Sequence, residues 1–334
     1  MFSIKFKDAV VFGNFLSINE IDFVDVFLDK NQVKFISNSN EVYAEYRAAA
    51  LCSVNQEPFS CRINKSFLKS IGQEDVITIA CSDGEVRISL YSGKGSLLYS
   101  CSFLQQVVAV SSYADRVLLT ENIKGLPVFN LGLLEGLYQI ARFNGGLVTV
   151  AGGVGAVMLK EAGAVYKEIT GIAASFTITN KALACLKKCS NNVGNLKDML
   201  VAVNGGFTVF VQKARMETLE DYSVLLSGRF GAKYTADINL HNLFRFLYKT
   251  KINADSVKIN VKTCECIIGT GHCVYTIPVD FKNAVLAAGA SMEELSVPVA
   301  ILLKVLNLLK METYSLRVMK NFIQFKSGDY IIVW

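Results

Sequence analysis

The chain has 334 residues, of which 51% are hydrophobic and 19% are charged, with only four prolines. This composition excludes a disordered or collagen-like chain and leaves enough apolar material for two or three domains with full cores. The formal net charge of +5 is compatible with an acidic partner, although it does not identify one.

The apolar segments are too short for a membrane protein. None approaches the roughly 18–20 residues that a transmembrane helix needs, and the longest, 297–309, contains Lys304. We therefore expect neither a secretory signal nor a membrane span. The nine cysteines are scattered and odd in number, which favours a reducing intracellular compartment with thiols packed as small hydrophobic groups.

A unit of one helix followed by two strands recurs along the chain. The helices are predicted at 7–16, 64–71, 130–142, 179–189 and 239–249, with a sixth that begins at 297. The strands are predicted at 21–28 and 33–37, 76–80 and 86–91, 147–150 and 154–160, 199–203 and 207–212, 257–261 and 267–269, 314–318 and 322–326, and 330–334.

Local signals define the ends of these elements. Asn64, Asn180 and Asn239 are placed as helix caps, and Pro298 fits the first turn of the sixth helix, where its missing N–H is harmless. Asp83-Gly84 lies between two alternating apolar segments, which is typical of a β-hairpin.

Six related units, whose helices start roughly 50–65 residues apart, favour an array of three α+β domains. We expect these domains at 1–120, 121–229 and 230–334, with boundaries where turn-forming and charged residues interrupt the strands.

The six helices share a bias in charge on the face turned away from their apolar side. Acidic residues are nearly missing from this face, with Asp8 and Glu135 the clear exceptions. One such face is ordinary for a solvated helix, but six with the same sign suit the phosphate backbone of a nucleic acid. The predicted basic lining consists of Lys7, Lys65, Lys69, Arg142, Lys181, Lys187, Lys188, Arg245, Lys249, Lys304 and Lys310.

Together with this pattern, two segments carry a resemblance to a known family. Residues 59–69 followed by 76–79 are similar to a helix and strand of the first domain of DNA sliding clamps. The closing segment 330–334 resembles the last strand of three-domain bacterial clamps. The resemblance implies a ring with helices inside and sheets outside, which encircles double-stranded DNA without reading its sequence and tethers a replicative DNA polymerase. It also implies a non-enzymatic protein without a cofactor, in the cytoplasm of a bacterium (at the nucleoid) or of a phage-infected host.

The resemblance also implies partners and their sites. A three-domain clamp closes as a head-to-tail homodimer, and we expect the pairing edges within 101–110 and 273–279, since unpaired edge strands are prone to aggregate. A polymerase or clamp loader is expected to insert a short peptide into an apolar pocket beside the last strand. That pocket would draw on Leu225, Leu226, Tyr330, Ile331, Ile332, Val333 and Trp334. Alternation along the strand favours a different interpretation, in which Ile332 and Trp334 are simply core.

Other interpretations remain open at this point. The chain is net basic and shorter than most bacterial clamps, which suggests a divergent, phage-like relative. A structural protein of a virion built from repeated sheets is one alternative, and an enzyme with an unrecognised carboxylate or metal site is another. Cys264, Cys266 and Cys273 beside His272 invite a zinc site, but we interpret Cys264 and Cys266 as core thiols on one face of a strand.

Overall fold

The computed structural model describes residues 1–5, 9–29, 31–52, 59–72, 75–108, 126–144, 146–159, 163–215, 231–250, 252, 256–270, 272–290, 294–298, 313–319 and 322–333. Short helices alternate with strands over these residues, and the strand pairs are antiparallel, so the α+β prediction is confirmed. Among the described residues, no helix has both the length and the apolar character needed to cross a bilayer.

The first half of the chain is rich in strands. Its elements are β1 (Phe2–Lys5), α1 (Ala9–Leu16), β2 (Phe23–Asp29), β3 (Gln32–Asn38), β4 (Val42–Cys52), β5 (Phe59–Asn64), β6 (Val76–Ser82), β7 (Glu85–Tyr91), β8 (Leu97–Leu104), β9 (Val128–Asn130), α2 (Glu135–Asn144), β10 (Leu147–Ala151), β11 (Val154–Met158) and β12 (Ala164–Glu168). Two 3₁₀ turns, Lys65–Phe67 and Leu131–Leu134, belong to the same part.

The second half continues the pattern. Its elements are β13 (Phe176–Thr179), α3 (Asn180–Cys189), β14 (Asn192–Asn195), β15 (Met199–Asn204), β16 (Phe207–Gln212), β17 (Tyr234–Asn239), α4 (His241–Thr250), β18 (Ser256–Asn260), β19 (Glu265–Thr270), β20 (Cys273–Pro278), β21 (Asp280–Leu286), β22 (Glu294–Pro298), β23 (Thr313–Val318), β24 (Ile323–Ser327) and β25 (Tyr330–Val333).

Two compact units make up the chain, one formed by Met1–Leu131 with Lys181–Lys213 and the other by Gly132–Asn180 with Ala214–Trp334. The predicted domain boundaries near 120 and 229 both lie outside the described residues. Each unit therefore combines segments that are distant in sequence, and the sheets show how these segments join.

In the first unit, a 12-stranded sheet runs in the order β8-β7-β6-β1-β4-β16-β15-β14-β9, with β2, β3 and β5 attached. The join between distant segments is the pairing of β4 with β16, in which Tyr46 lies opposite Phe207. A side chain at Gly206 would collide with the carbonyl oxygen of Arg47, so the close approach of these strands requires glycine there. The buried rings of Phe12 and Phe15 on α1 cover this join.

In the second unit, a nine-stranded sheet runs in the order β13-β10-β11-β12-β25-β24-β23-β17-β21. Its join is the pairing of β12 with β25, in which Tyr166 lies opposite Ile331. A separate four-stranded sheet has the order β20-β19-β18-β22. Helix α4 packs on β20 through the rings of Phe246 and Tyr275, whose centroids are 5.2 Å apart.

Two predicted helices differ from the structure. The segment 64–71 forms only a 3₁₀ turn followed by a hydrogen-bonded turn, although Asn64 caps it as expected by accepting from the N–H of Ser66 at 2.9 Å. The prediction that a helix begins at Val297 is wrong. Val297 is buried in β22 opposite Val257, and Pro298 ends this edge strand, where a missing N–H is tolerated. Residues 299–312 lie outside the described residues.

Buried thiols make the stability of this fold sensitive to alkali. Burial raises the pKa of Cys61, Cys189 and Cys266 to about 12 from an ordinary value near 9.0. The unfolded chain therefore loses these protons first, so these groups stabilise the fold below pH 9 and lose that contribution as the pH rises toward 12. Lys65 acts in the opposite sense, because its pKa is lowered to about 8 by burial.

We therefore predict a steep fall in the urea midpoint above about pH 9. Replacing Cys61, Cys189 and Cys266 with alanine should lower stability at neutral pH and flatten this fall. If the urea midpoint of the triple variant fell with pH as steeply as that of the wild type, the three thiols would not be the cause of the alkaline loss of stability.

Candidate nucleic-acid interface

Helix α3 carries the clearest basic face in the first unit. Ala182, Leu183, Cys185, Leu186 and Cys189 are buried. Lys181 and Lys188 are exposed, whereas Lys187 is half-buried. The burial of Cys185 and Cys189 confirms that these two thiols are packing groups.

Helix α4 separates its faces in the same way in the second unit. It starts after Asn239, whose side-chain oxygen accepts from the backbone N–H of His241 at 2.9 Å, so the predicted cap is confirmed. Leu243 and Leu247 are buried, while Arg245 and Lys249 are exposed together with His241 and Asn242. Arg142 is likewise exposed on α2. In the four helices that the structure describes, Glu135 is the only acidic residue.

Lys65 does not belong to an exposed basic surface. Only 3% of the residue is accessible, and its Nζ donates to the carbonyl oxygen of Asn19 at 2.8 Å. Burial, with Lys69 nearby, lowers the pKa of Lys65 to about 8. The prediction that Lys65 is turned toward solvent is wrong, because the short 3₁₀ turn directs its side chain beneath the segment that follows α1.

Three donors converge on the segment that follows α1. Besides the Lys65 contact, Cys185 Sγ donates to the carbonyl oxygen of Ile18 at 3.1 Å and Lys188 Nζ donates to that of Ser17 at 2.8 Å. The last carbonyls of a helix have no partner within the helix, and cations at this end complement its dipole. Lys188 therefore satisfies the carbonyl next to the last residue of α1, and Lys65 and Cys185 hold the two residues of the segment that follow it.

Some cations of the predicted basic lining thus bind other residues of the protein, whereas others do not. Lys181 forms an ion pair with Glu20 at 3.1 Å. Lys69, Arg142, Arg245 and Lys249 are exposed, and none makes an ion pair or side-chain hydrogen bond with another described residue. Lys7, Lys304 and Lys310 lie outside the described residues. The candidate nucleic-acid contacts are therefore Lys69 in the first unit and, separately, Arg142, Arg245 and Lys249 in the second.

The different environments of two nearby lysines lead to a direct prediction. Lys65→Ala should destabilise the protein by about 2 kcal/mol, because it leaves the buried Asn19 carbonyl unsatisfied and opens a cavity. Its affinity for duplex DNA should stay within about twofold of the wild type. Lys69→Ala, the matched control, should leave the urea midpoint unchanged and weaken DNA binding. If Lys65→Ala weakens DNA binding without changing stability, the structural role of Lys65 is excluded.

The predicted edge strands lie at sheet edges in the described part of the chain. β8 is the outermost strand of the 12-stranded sheet, and β20 is the outermost strand of the four-stranded sheet. β8 exposes Leu97, Leu98 and Leu104, and β20 exposes Val274. Both edges thus present unpaired backbone groups next to apolar side chains, a combination that favours pairing with another strand.

The residues predicted to form a peptide pocket divide into three groups. Ile331 and Ile332 are buried, and Ile331 packs with Val154, Ala156, Ala164 and Tyr166. These two isoleucines are core residues rather than pocket walls, because β25 is an interior strand with neighbours on both sides. Tyr330 and Val333 are half-buried, and Lys167 lies 5.3 Å from the centroid of the Tyr330 ring. Leu225, Leu226 and Trp334 lie outside the described residues.

The cysteines near His272 occupy different environments. Cys264 is exposed in the turn between β18 and β19 with a φ of 57°, so it does not share a strand face with the buried Cys266. Cys273 and His272 are exposed. The expectation that Cys264 is a core thiol is wrong, since the tight turn directs it to solvent.

Comparison with known proteins identifies the fold. No protein-family model matches the chain, and no curated protein sequence matches it significantly. Among solved structures, the DNA polymerase III subunit beta from Pseudomonas aeruginosa matches with a TM-score of 0.69 and 13% identity, over 100% of this chain and 99% of that chain. The DNA polymerase sliding clamp from Bacillus subtilis matches with a TM-score of 0.68 and 12% identity, over 99% and 97%.

A third match comes from Helicobacter pylori. Its beta clamp, solved with a DNA ligase peptide, has a TM-score of 0.66 and 13% identity over 99% of this chain and 98% of that chain. The predicted clamp fold is therefore confirmed over the full length of the chain.

Proposed function

We propose that this protein is a DNA sliding clamp, which encircles duplex DNA without sequence specificity and holds a replicative DNA polymerase on its template. The observation that carries the proposal is the clamp fold combined with the exposed cations Arg142, Arg245 and Lys249 on helices that are nearly free of acids. Its action is mechanical tethering rather than catalysis, and its location is the cytoplasm of a bacterium or of a phage-infected host. The alternative of a virion protein gains no support from the described residues.

The sheet joins support an organisation in three domains, at 1–120, 121–229 and 230–334. With these boundaries, the pairing of β4 with β16 links the first domain to the second, and the pairing of β12 with β25 links the second to the third. Each join continues a sheet across a boundary. Pairing β8 of one copy with β20 of another would extend the same arrangement and close a head-to-tail dimer, with both edges satisfied.

The chemistry of the helix cations fits a moving contact with DNA. Lysine and arginine on rigid helices attract phosphates through long-range, salt-screened forces and contribute no base reading by themselves. A contact of this kind holds the duplex while allowing it to slide. We therefore expect binding that is weak, sensitive to salt and equal for all duplex sequences.

A topological experiment tests the proposal. The protein is diluted to separate its subunits, mixed with nicked circular plasmid and concentrated again so that rings close around the DNA. Complexes should then survive gel filtration at high salt and be lost when a restriction enzyme linearises the plasmid. Equal retention on circular and linear DNA would contradict encirclement.

The partner site is proposed beside β25, where Tyr330 and Val333 remain partly accessible and where Trp334 follows. An aromatic residue at the rim of a pocket is the type that concentrates binding energy in an interface. The peptide of a polymerase or a clamp loader is the proposed occupant, by analogy with the DNA ligase peptide in the Helicobacter pylori structure.

Two truncations separate binding from folding at this site. Deleting Trp334 alone should leave the urea midpoint unchanged and weaken binding of a synthetic clamp-binding peptide by about tenfold, a loss that Trp334→Phe should largely avoid. Deleting 332–334 should cost at least about 2 kcal/mol of stability, because Ile332 is buried opposite Val165. Unchanged peptide binding after deletion of Trp334 would show that Trp334 is not part of the peptide-binding site.

A further inference from the structure

Helix α4 displays an aromatic ring among its cations. Tyr248 is 74% exposed, and at 100° per residue it lies between Phe244 and His241, about 60° from Arg245 and on the face opposite Phe246. Phe246 packs on the sheet, so the Tyr248 ring points to solvent. Lys249 is its exposed neighbour.

Helix α2 repeats this combination. Phe143 is 57% exposed and follows the exposed Arg142, while Leu137, Ile140 and Ala141 form the buried face. Both helices have 10 residues, and the aromatic and cationic residues occupy the eighth and ninth positions in each, in opposite order. Helix α3 has Lys187 and Lys188 at the same two positions. Two of the three related helices therefore place one exposed ring beside one cation in the last turn.

This arrangement matches the chemistry of unpaired bases. A base stacks on an aromatic face whatever its sequence, and here an exposed ring lies beside a cation at the same place on two helices. In a duplex the base faces are covered by their neighbours, so stacking requires a single strand. Nearby cations hold the phosphates of the same strand, and α4 contains no acid that would repel them.

We propose that Tyr248 and Phe143 each provide a stacking position for a base of single-stranded DNA, with phosphates held by the cations of the same helix, Arg245 and Lys249 on α4 and Arg142 on α2. This inference rests on the proposed clamp function and extends it. A clamp with such a site retains the unpaired template strand beside a primer end or within a gap, in addition to the duplex.

The test compares binding of fluorescein-labelled oligo(dT) and of a labelled duplex by anisotropy. The Phe143→Ala, Tyr248→Ala double variant should bind oligo(dT) about tenfold more weakly and the duplex within about twofold of the wild type. The exchange variant Phe143→Tyr, Tyr248→Phe keeps both rings and should match the wild type on both ligands. The double variant Arg245→Gln, Lys249→Gln should weaken the binding of oligo(dT) and of the duplex to a similar extent.

Three outcomes would overturn the site. These are no oligo(dT) binding by the wild type, an unchanged oligo(dT) affinity in the double-alanine variant, and an equal loss on both ligands. The clamp proposal is judged separately, since its failure would appear as equal retention on circular and linear plasmid while oligo(dT) binding could persist.

Discussion

Replacing Leu98 and Leu104 with lysine is expected to convert the proposed dimeric ring into monomers. Both leucines are exposed on the edge strand β8, and inward or flanking lysines at an edge are an effective block to strand pairing. Equilibrium sedimentation should show the mass falling from about twice 36.7 kDa to 36.7 kDa. Retention on circular plasmid should be lost at the same time, because an open chain cannot be linked to the DNA.

The matched control places lysine at Leu51 and Val203. Both are exposed apolar residues, but their strands, β4 and β15, are interior strands of the same sheet. This variant should remain dimeric. A dimer that survives the Leu98 and Leu104 substitutions would show that β8 is not the pairing edge.

Neutralising the candidate interface should have the second large effect. Changing Lys69, Arg142, Arg245 and Lys249 to glutamine should weaken duplex binding at low salt by about a hundredfold. The slope of log affinity against log salt should decrease by about 0.9 for each phosphate contact removed. The loss should be equal on duplexes of different sequence, since contacts with phosphates carry no sequence information.

A control with the same change in charge uses lysines away from the helices. Lys94, Lys233, Lys282 and Lys326 are exposed in turns, loops and strands, and their change to glutamine should leave the salt slope intact. Equal losses in the two quadruple variants would mean that net charge, rather than the helix faces, governs binding.

The local features of this fold were predictable because they depend on neighbouring residues. The Asp83-Gly84 hairpin forms with φ of 52° and 76°, in the left-handed region that this dipeptide favours. Helix α3 occupies the predicted segment because its apolar residues repeat at helical spacing. The two edge strands, by contrast, were expected from the resemblance to sliding clamps and not from the repeat of strands along the chain.

Contacts between distant residues were not predictable in the same way. Lys65 has the spacing of an exposed helical lysine, yet its environment is set by Asn19, 46 residues away. The same holds for Lys188, whose partner Ser17 is 171 residues away. Ile331 and Ile332 are both buried although strand alternation predicts only one, because both faces of the sheet are covered at β25. The exposed rings of Phe143 and Tyr248 could have been found by aligning the last turns of the helices.

Direct imaging of single particles tests most simply the central claim that two copies of the chain close into a ring. Negative-stain electron microscopy, combined with mass photometry of the same sample, should show particles of about twice 36.7 kDa that are closed rings with an open centre. The Leu98 and Leu104 lysine variant should show no rings under the same conditions. Particles of 36.7 kDa alone, or wild-type dimers without a central hole, would contradict the account.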